Sequence, residues 1–187
     1  SNNSLYEFLS IDKINILPVP MINIINGGSH ADNNVDIQEF MIAPVGANSF
    51  HESLQYGAEV FYSLKSKLKQ NGLNTNVGDE GGFAPDINSS KKVIELLLES
   101  IKNTGFNTTT DIKLCLDVAS TEFFYKNKYH LKGEDRVLTS DKMIDYLKEL
   151  TNSYPIYSIE DGMSEDDWEG WKNITMELGD KIQLVGD

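Results

Sequence analysis

Three short runs of strand-forming residues each close on a carboxylate: Ile112-Lys-Leu-Cys-Leu-Asp117, Pro155-Ile-Tyr-Ser-Ile-Glu160 and Lys181-Ile-Gln-Leu-Val-Gly-Asp187. A helix-patterned stretch precedes each of them. This alternation predicts βα units, whose parallel strands lie side by side with their C-terminal ends on one face. Asp117, Glu160 and Asp187 then converge on the face where barrel folds keep their chemistry. Each close pair of carboxylates repels by about 4 kcal/mol at ~4 Å and an effective dielectric near 20. Three such pairs rival the roughly 5–15 kcal/mol that holds a domain together, so protons or a cation must offset them. Oxygen ligands without Cys or His at the strand ends favour Mg²⁺ over zinc. Any one of these acids alone reads equally well as a helix N-cap or a loop residue; three in register do not.

The strands alternate with helical patterns over 140–153 and 166–178, giving predicted strands at 112–118, 155–160 and 182–186. Upstream, Leu17-Pro-Val-Pro20 forces an extended approach, because a residue before proline is pushed out of the α region. Met21-Ile-Asn-Ile-Ile25 reads as a strand broken by Asn26-Gly27-Gly28, and Ile37-Gln-Glu-Phe-Met-Ile42 reads as its antiparallel partner. Ser49 and Glu52 form a predicted capping box for a helix with Leu54, Ala58, Phe61, Leu64 and Leu68 facing the core, ended by Gly72. A second helix carries Val93, Ile94, Leu97, Leu98 and Ile101 and stops at Gly105. The order is therefore ββαα followed by βα units, an α/β fold. Residues 1–15 show a short helical pattern, with Leu5, Phe8 and Leu9 on one side. Residues 1–16 are expected to be the tail of a preceding region, and 17–187 the domain proper.

A net charge of −13 opposes non-specific binding to nucleic acid or anionic membrane and suits an acidic cleft that concentrates cations. The single cysteine, Cys115, sits within an apolar strand pattern and is expected to be buried, in keeping with a reducing compartment. No apolar run approaches the ~20 residues of a membrane span. A cytoplasmic location is the expectation, with an additional surface or secreted location left open.

Several loop residues are candidates for chemistry. Gly78-Asp-Glu-Gly-Gly82 places two acids between glycines, which lets the backbone approach a ligand closely; it reads equally as a flexible acidic turn. His30, after a Gly-Gly turn, is either a surface residue or a substrate contact at a barrel mouth. Glu39, next to Gln38 within a strand, would be costly to bury without a partner and so is expected to face a polar pocket. Trp168 and Trp171 read as core or interface packing; His51 and His130 have no assigned role.

Taken together, Asn26-Gly-Gly-Ser-His-Ala31, Gln38-Glu-Phe-Met-Ile-Ala-Pro44, Val77-Gly-Asp-Glu-Gly-Gly82, Leu116-Asp-Val-Ala-Ser120 and Ser158-Ile-Glu-Asp-Gly162 resemble the signature segments of the enolase family. Gly162 and the segment Ser164-Glu-Asp-Asp-Trp168 resemble bacterial-type members. The resemblance implies interconversion of 2-phosphoglycerate and phosphoenolpyruvate, Mg²⁺ dependence, a homodimer, and a barrel whose first two strands are antiparallel. It also implies site roles. Asp117, Glu160 and Asp187 match the Mg²⁺ ligands, Glu80 matches the acid that helps the 3-hydroxyl leave, and Glu39 matches its acidic neighbour in the catalytic and substrate site. His30 and Gln38 match substrate-contacting positions.

Family members also carry an N-terminal α+β domain and, beyond the last metal ligand, a lysine base, a His-Arg-Ser segment and a further substrate lysine. None of these is in this chain. A barrel of this kind needs roughly 250 residues, and the expectation is a partial TIM-type barrel with about five of eight strands. The chain alone is then expected to be inactive and to expose an open edge and an apolar inner layer that favour self-association. Another enolase-superfamily reaction, or a non-catalytic binding role in an assembly or at a surface, remains the alternative.

Overall fold

The computed structural model describes residues 4–10 and 16–187. The expected opening helical pattern over 1–15 falls partly outside them. Within them, α1 spans Leu5–Leu9, where the Glu7 carboxylate accepts from the Ser4 N–H and hydroxyl. Leu5, Phe8 and Leu9 are all exposed.

The domain is built on a five-stranded sheet formed by β1 (Ile22–Asn26), β2 (Glu39–Ala43), β3 (Lys113–Asp117), β7 (Ile156–Glu160) and β8 (Gln183–Val185), in that spatial order. β1 and β2 are antiparallel, as expected from the sequence, and so are β2 and β3; β3, β7 and β8 run parallel. Helices α2 (Phe50–Gln70), α3 (Ser90–Asn103), α4 (Ser140–Ser153) and α5 (Trp168–Leu178) cover one face. α2 packs on α3, and α4 on α5. The main core lies between these helices and the outward residues of the sheet, among them Phe40, Leu116 and Ile159. Among the described residues the sheet does not close, so the fold is a partial α/β barrel.

Local chemistry accounts for the helix ends and faces. Ser49 Oγ accepts from the Glu52 N–H, but the Glu52 carboxylate accepts from the Asn48 N–H and not from the Ser49 N–H, so only half of the expected capping box forms. Gly72, at φ +71°, supplies the left-handed residue after α2. The buried stripe of α2 is Ser53, Gly57, Val60, Leu64 and Leu68, while Leu54 is 48% exposed and Ala58 also faces solvent. Leu64 and Leu68 are buried as expected and Phe61 packs partly against the core, so the stripe differs only in its first turns, around Gly57. A Cβ there would stand 2.4 Å from Ile22 Cδ1, so the helix meets β1 at its smallest residue. On α3, Val93, Ile94, Leu97 and Ile101 are buried as expected, and Leu98 is partly so.

A second sheet, not anticipated from the sequence, follows β3. Its strands are β4 (Phe124–Tyr125), β5 (Lys128–Leu131) and β6 (Arg136–Leu138), all antiparallel. Lys126 and Asn127, both at positive φ, make the tight β4–β5 turn. Asp36 clamps the β5–β6 turn to the loop after β1, its carboxylate accepting from the Gly133 and Glu134 N–H groups. At Gly133 a Cβ would lie 1.8 Å from the Asn34 carbonyl oxygen, a backbone atom that cannot swing aside. Gly133→Ala is therefore expected to cost about 1–3 kcal/mol. At roughly 2–4 °C per kcal/mol for a domain of this size, a thermal melt resolves the loss, and an unchanged melting temperature would show that the clamp bears no strain.

Candidate active site

Sheet register assembles the acids. Glu39 pairs with Asp117, and Asp117 pairs with Glu160, while Asn26 lies opposite Glu39 and Val185 opposite Glu160. Because side chains alternate along a strand, this row shares its face with Met41, Cys115, Ser158 and Gln183, each two residues away, and with Asn23, the partner of Met41 across an irregularity in β1. That face is turned away from the helix-packed core. Met41, Ala43 and Cys115 form a small buried cluster of their own on it. The inner layer is thus largely polar or small, not the apolar layer expected from the sequence. Burial pushes the Cys115 thiol up to about 11, so it is an inert core group.

β2 runs against β3, so the start of β2 and the end of β3 meet at the mouth. Gln38, just before β2, donates from Nε2 to Asp117 Oδ2 at 3.0 Å. The Ala119 N–H donates to Asp117 Oδ1 at 3.0 Å. Ala119 (φ 46°) and Asp161 (φ 46°) are both left-handed, each just past a carboxylate of the row. Such strain persists where surrounding structure over-determines it. Here the Val118 N–H donates to the Glu160 carbonyl and the Ser120 N–H to the Asp161 carbonyl, locking the two strand ends together.

Burial first, and like-charge neighbours after it, push the acids of the row upward. Burial raises Glu160 to about 7, with further contributions from Asp117, Asp187, Asp161 and Glu39. Asp117 is raised by burial, against which the Gln38 and Ala119 hydrogen bonds work. Glu39 is raised by burial and then by Asp117, while His30 opposes the shift. Asp161, named in the sequence only as part of a motif, belongs to this acidic group. It accepts from the Asp187 N–H at 3.0 Å.

Glu80 arrives on a loop. The Phe83 N–H donates to the Ile24 carbonyl and the Asn26 N–H to the Phe83 carbonyl, so the end of the loop is zipped onto β1. The Asp79 N–H donates to the His30 carbonyl, and a Cβ at Gly78 would fall 2.5 Å from that same oxygen. This loop is a docked element and not a free acidic turn. It sets Glu80 beside Glu39 and His30: one ligand atom from each lies within 4.8 Å of the others. His30 Nδ1 is 3.3 Å from Glu39 Oε1, a contact that is an ion pair only when His30 is protonated and is not an aligned hydrogen bond, and it gives the half-buried Glu39 a polar neighbour. A cleft of about 400 Å³ opens beside His30, Asp79 and Gly78.

The structure therefore brings His30, Glu39 and Glu80 into one group and joins Gln38 and Asp117 to it. Glu160 extends the row, and Asp187 follows β8 by two residues. Among the described residues, His30, Glu39 and Glu80 form the compact set; Asp117, Glu160 and Asp187 are more loosely grouped. Their chemistry still suits a hard divalent cation. They are oxygen donors only, they repel one another, and no ion pair among the described residues reaches them. Trp168 is 79% exposed and so is not core, whereas Trp171 packs on the core and donates from Nε1 to the Ser164 carbonyl. No helix among the described residues is long and apolar enough to cross a membrane. The family model for the enolase C-terminal TIM barrel domain matches residues 14–187. With its open barrel sheet and the acids at the mouth of that sheet, the chain belongs to the enolase family through this domain.

Proposed function

We propose that this chain supplies the acidic side of the active site of a Mg²⁺-dependent phosphopyruvate hydratase, the lyase that interconverts 2-phosphoglycerate and phosphoenolpyruvate. The observation that carries this reading is the register row Glu39, Asp117 and Glu160, with Glu80 and His30 held over it. Asp117, Glu160 and Asp187 would hold the Mg²⁺, which when bound supplies positive charge against the electron-rich carboxylate of the reacting substrate. Gln38 orients Asp117 by its hydrogen bond and, with His30 and Glu39, lines the substrate side.

Loss of the C2 proton to a base and of the 3-hydroxyl with a proton from Glu80 yields phosphoenolpyruvate and water. The nearness of Glu80 to Glu39 and His30, on a glycine-flanked loop, supports giving it that second transfer. No lysine or arginine of the described residues forms an ion pair with the row, and the acceptor of the C2 proton is assigned to none of the residues named above. We read residues 17–187 as belonging to the barrel domain, within the 14–187 matched by the family model. A cytoplasmic homodimer completes the reading. The test is absorbance of phosphoenolpyruvate formed by the full-length protein. Turnover with Mg²⁺ that disappears on chelation is expected; no turnover with Mg²⁺ present would overturn the assignment.

A further inference from the structure

Asn26 ends β1 on the same face as the acids, opposite Glu39. The irregular register between Asn23 and Ile25 allows this: Ile24 and Ile25 both enter the outer core, and Asn26 turns back inward. Its side chain is wholly buried, yet neither amide atom has a hydrogen-bond partner. A buried donor and acceptor left unmet are a standing cost that an apolar residue of the same shape avoids. What the side chain touches explains its place. A Cβ at Gly78 would stand 2.8 Å from Asn26 Nδ2, and one at Gly82 would stand 2.3 Å from Asn26 Oδ1. The amide is wedged under the two glycines that bracket Glu80, with no room for a larger residue at either.

Backbone bonds hold the loop down around this wedge. The Gly78 N–H donates to the Gly82 carbonyl at 2.8 Å, and the Asn26 N–H donates to the Phe83 carbonyl at 2.8 Å. Asn33 Nδ2 donates to both the Asn26 and Pro85 carbonyls, tying the loop that carries His30 to the same point. Glu80 itself is exposed, so the seating of its loop governs where its carboxyl reaches.

We propose that Asn26 is a positioning residue whose side chain fixes the height of the 78–82 loop and thereby holds Glu80 within reach of Glu39 and His30. This rests on Glu80 being the acid, as proposed above. The test compares Asn26→Ala, which removes the wedge, with Asn26→Leu, which keeps its shape without its amide, in the full-length protein. For the Ala variant, the Gly78 and Phe83 amides are expected to exchange with solvent at least about tenfold faster while Leu116 in β3 is unchanged. Its kcat is expected to fall about a hundredfold, the order of effect of a 1 Å misplacement, with KM within about threefold. The Leu variant is expected to restore both protection and kcat.

Unchanged exchange in the Ala variant overturns the proposal. So does a Leu variant with intact protection but a kcat as low as that of Ala, since the amide would then act on the reacting groups directly. If the Ala variant does not fold, Asn26→Ser replaces it. Absence of turnover in the unsubstituted protein would overturn the lyase reading instead, and the exchange comparison would then decide the role of Asn26 by itself.

Discussion

Glu160→Gln is expected to weaken Mg²⁺ binding by more than the 10–100-fold that groups behind the metal ligands typically command, because it removes a ligand and not its support. In the metal-free protein the same change alters how stability depends on pH. Burial and the surrounding carboxylates raise Glu160 from its ordinary value near 4.5 to about 7. A raised folded-state pKa means that the folded protein holds the proton more tightly than the unfolded chain does. The resulting stabilisation is fully present below about pH 4.5 and is lost as pH rises through about 7. Glutamine cannot titrate, so its variant lacks this decline and is the more stable protein above neutrality when chelator is present. With Mg²⁺ the order reverses, since the cation stabilises the protein that binds it. Calorimetric titration with Mg²⁺, together with melts from pH 4 to 9 in chelator and in excess Mg²⁺, separates the two effects. Wild-type Mg²⁺ affinity in the variant would remove Glu160 from the metal site.

The pairing of Asp117 with Glu160 was legible in the sequence because it depends on strand ends alone, whereas Asp187, expected in register with them, lies two residues past the Val185 that pairs with Glu160. Any alternating βα pattern that closes on Asp117 and Glu160 leaves them side by side, and the strands register them as partners. The expense of burying Glu39 was legible too, but its remedy was not. His30 reaches it from a loop, and no spacing rule connects positions 30 and 39 across a turn of irregular shape. Close approach of backbones was equally hidden. Gly57 has no side chain to enter an apolar stripe, although α2 approaches Ile22 of β1 closely there, and the stripe was placed one residue off at Leu54 and Ala58 while Leu64 and Leu68 were placed correctly.

The short strands β4, β5 and β6 escaped because two to four residues carry too little alternation to stand out. The Lys126-Asn127 turn, which needs positive φ at both residues, was the one available signal. Asn26 before Gly-Gly reads as an ordinary turn residue. Only the docking of a loop from more than 50 positions away turns it into a buried wedge.

Glu80→Gln is expected to lower kcat by roughly 10²–10⁴, the usual contribution of a positioned acid or base, while leaving the fold and Mg²⁺ binding intact. Glutamine matches the shape of glutamate, and Glu80 is an exposed residue whose loop is held by backbone bonds on either side, so no packing is lost. Glu80 is also not among the oxygen ligands assigned to the cation, so Mg²⁺ titrations of the variant and the parent should coincide. What the variant loses is a transferable proton. A hydroxyl leaves from C3 far more easily as water than as hydroxide, so the deficit should depend on the leaving group. An analogue of 2-phosphoglycerate with a C3 substituent that departs as a stable anion needs no proton, and with it the variant should recover most of the parent rate. Glu39→Gln makes an instructive contrast, because it also dissolves the 3.3 Å contact with His30 and changes the charge beside Asp117. Its losses should therefore include substrate affinity and persist with either leaving group. An equal deficit for both substrates in Glu80→Gln would show that Glu80 acts somewhere other than at the departing oxygen, and an unimpaired kcat would remove it from the chemistry altogether.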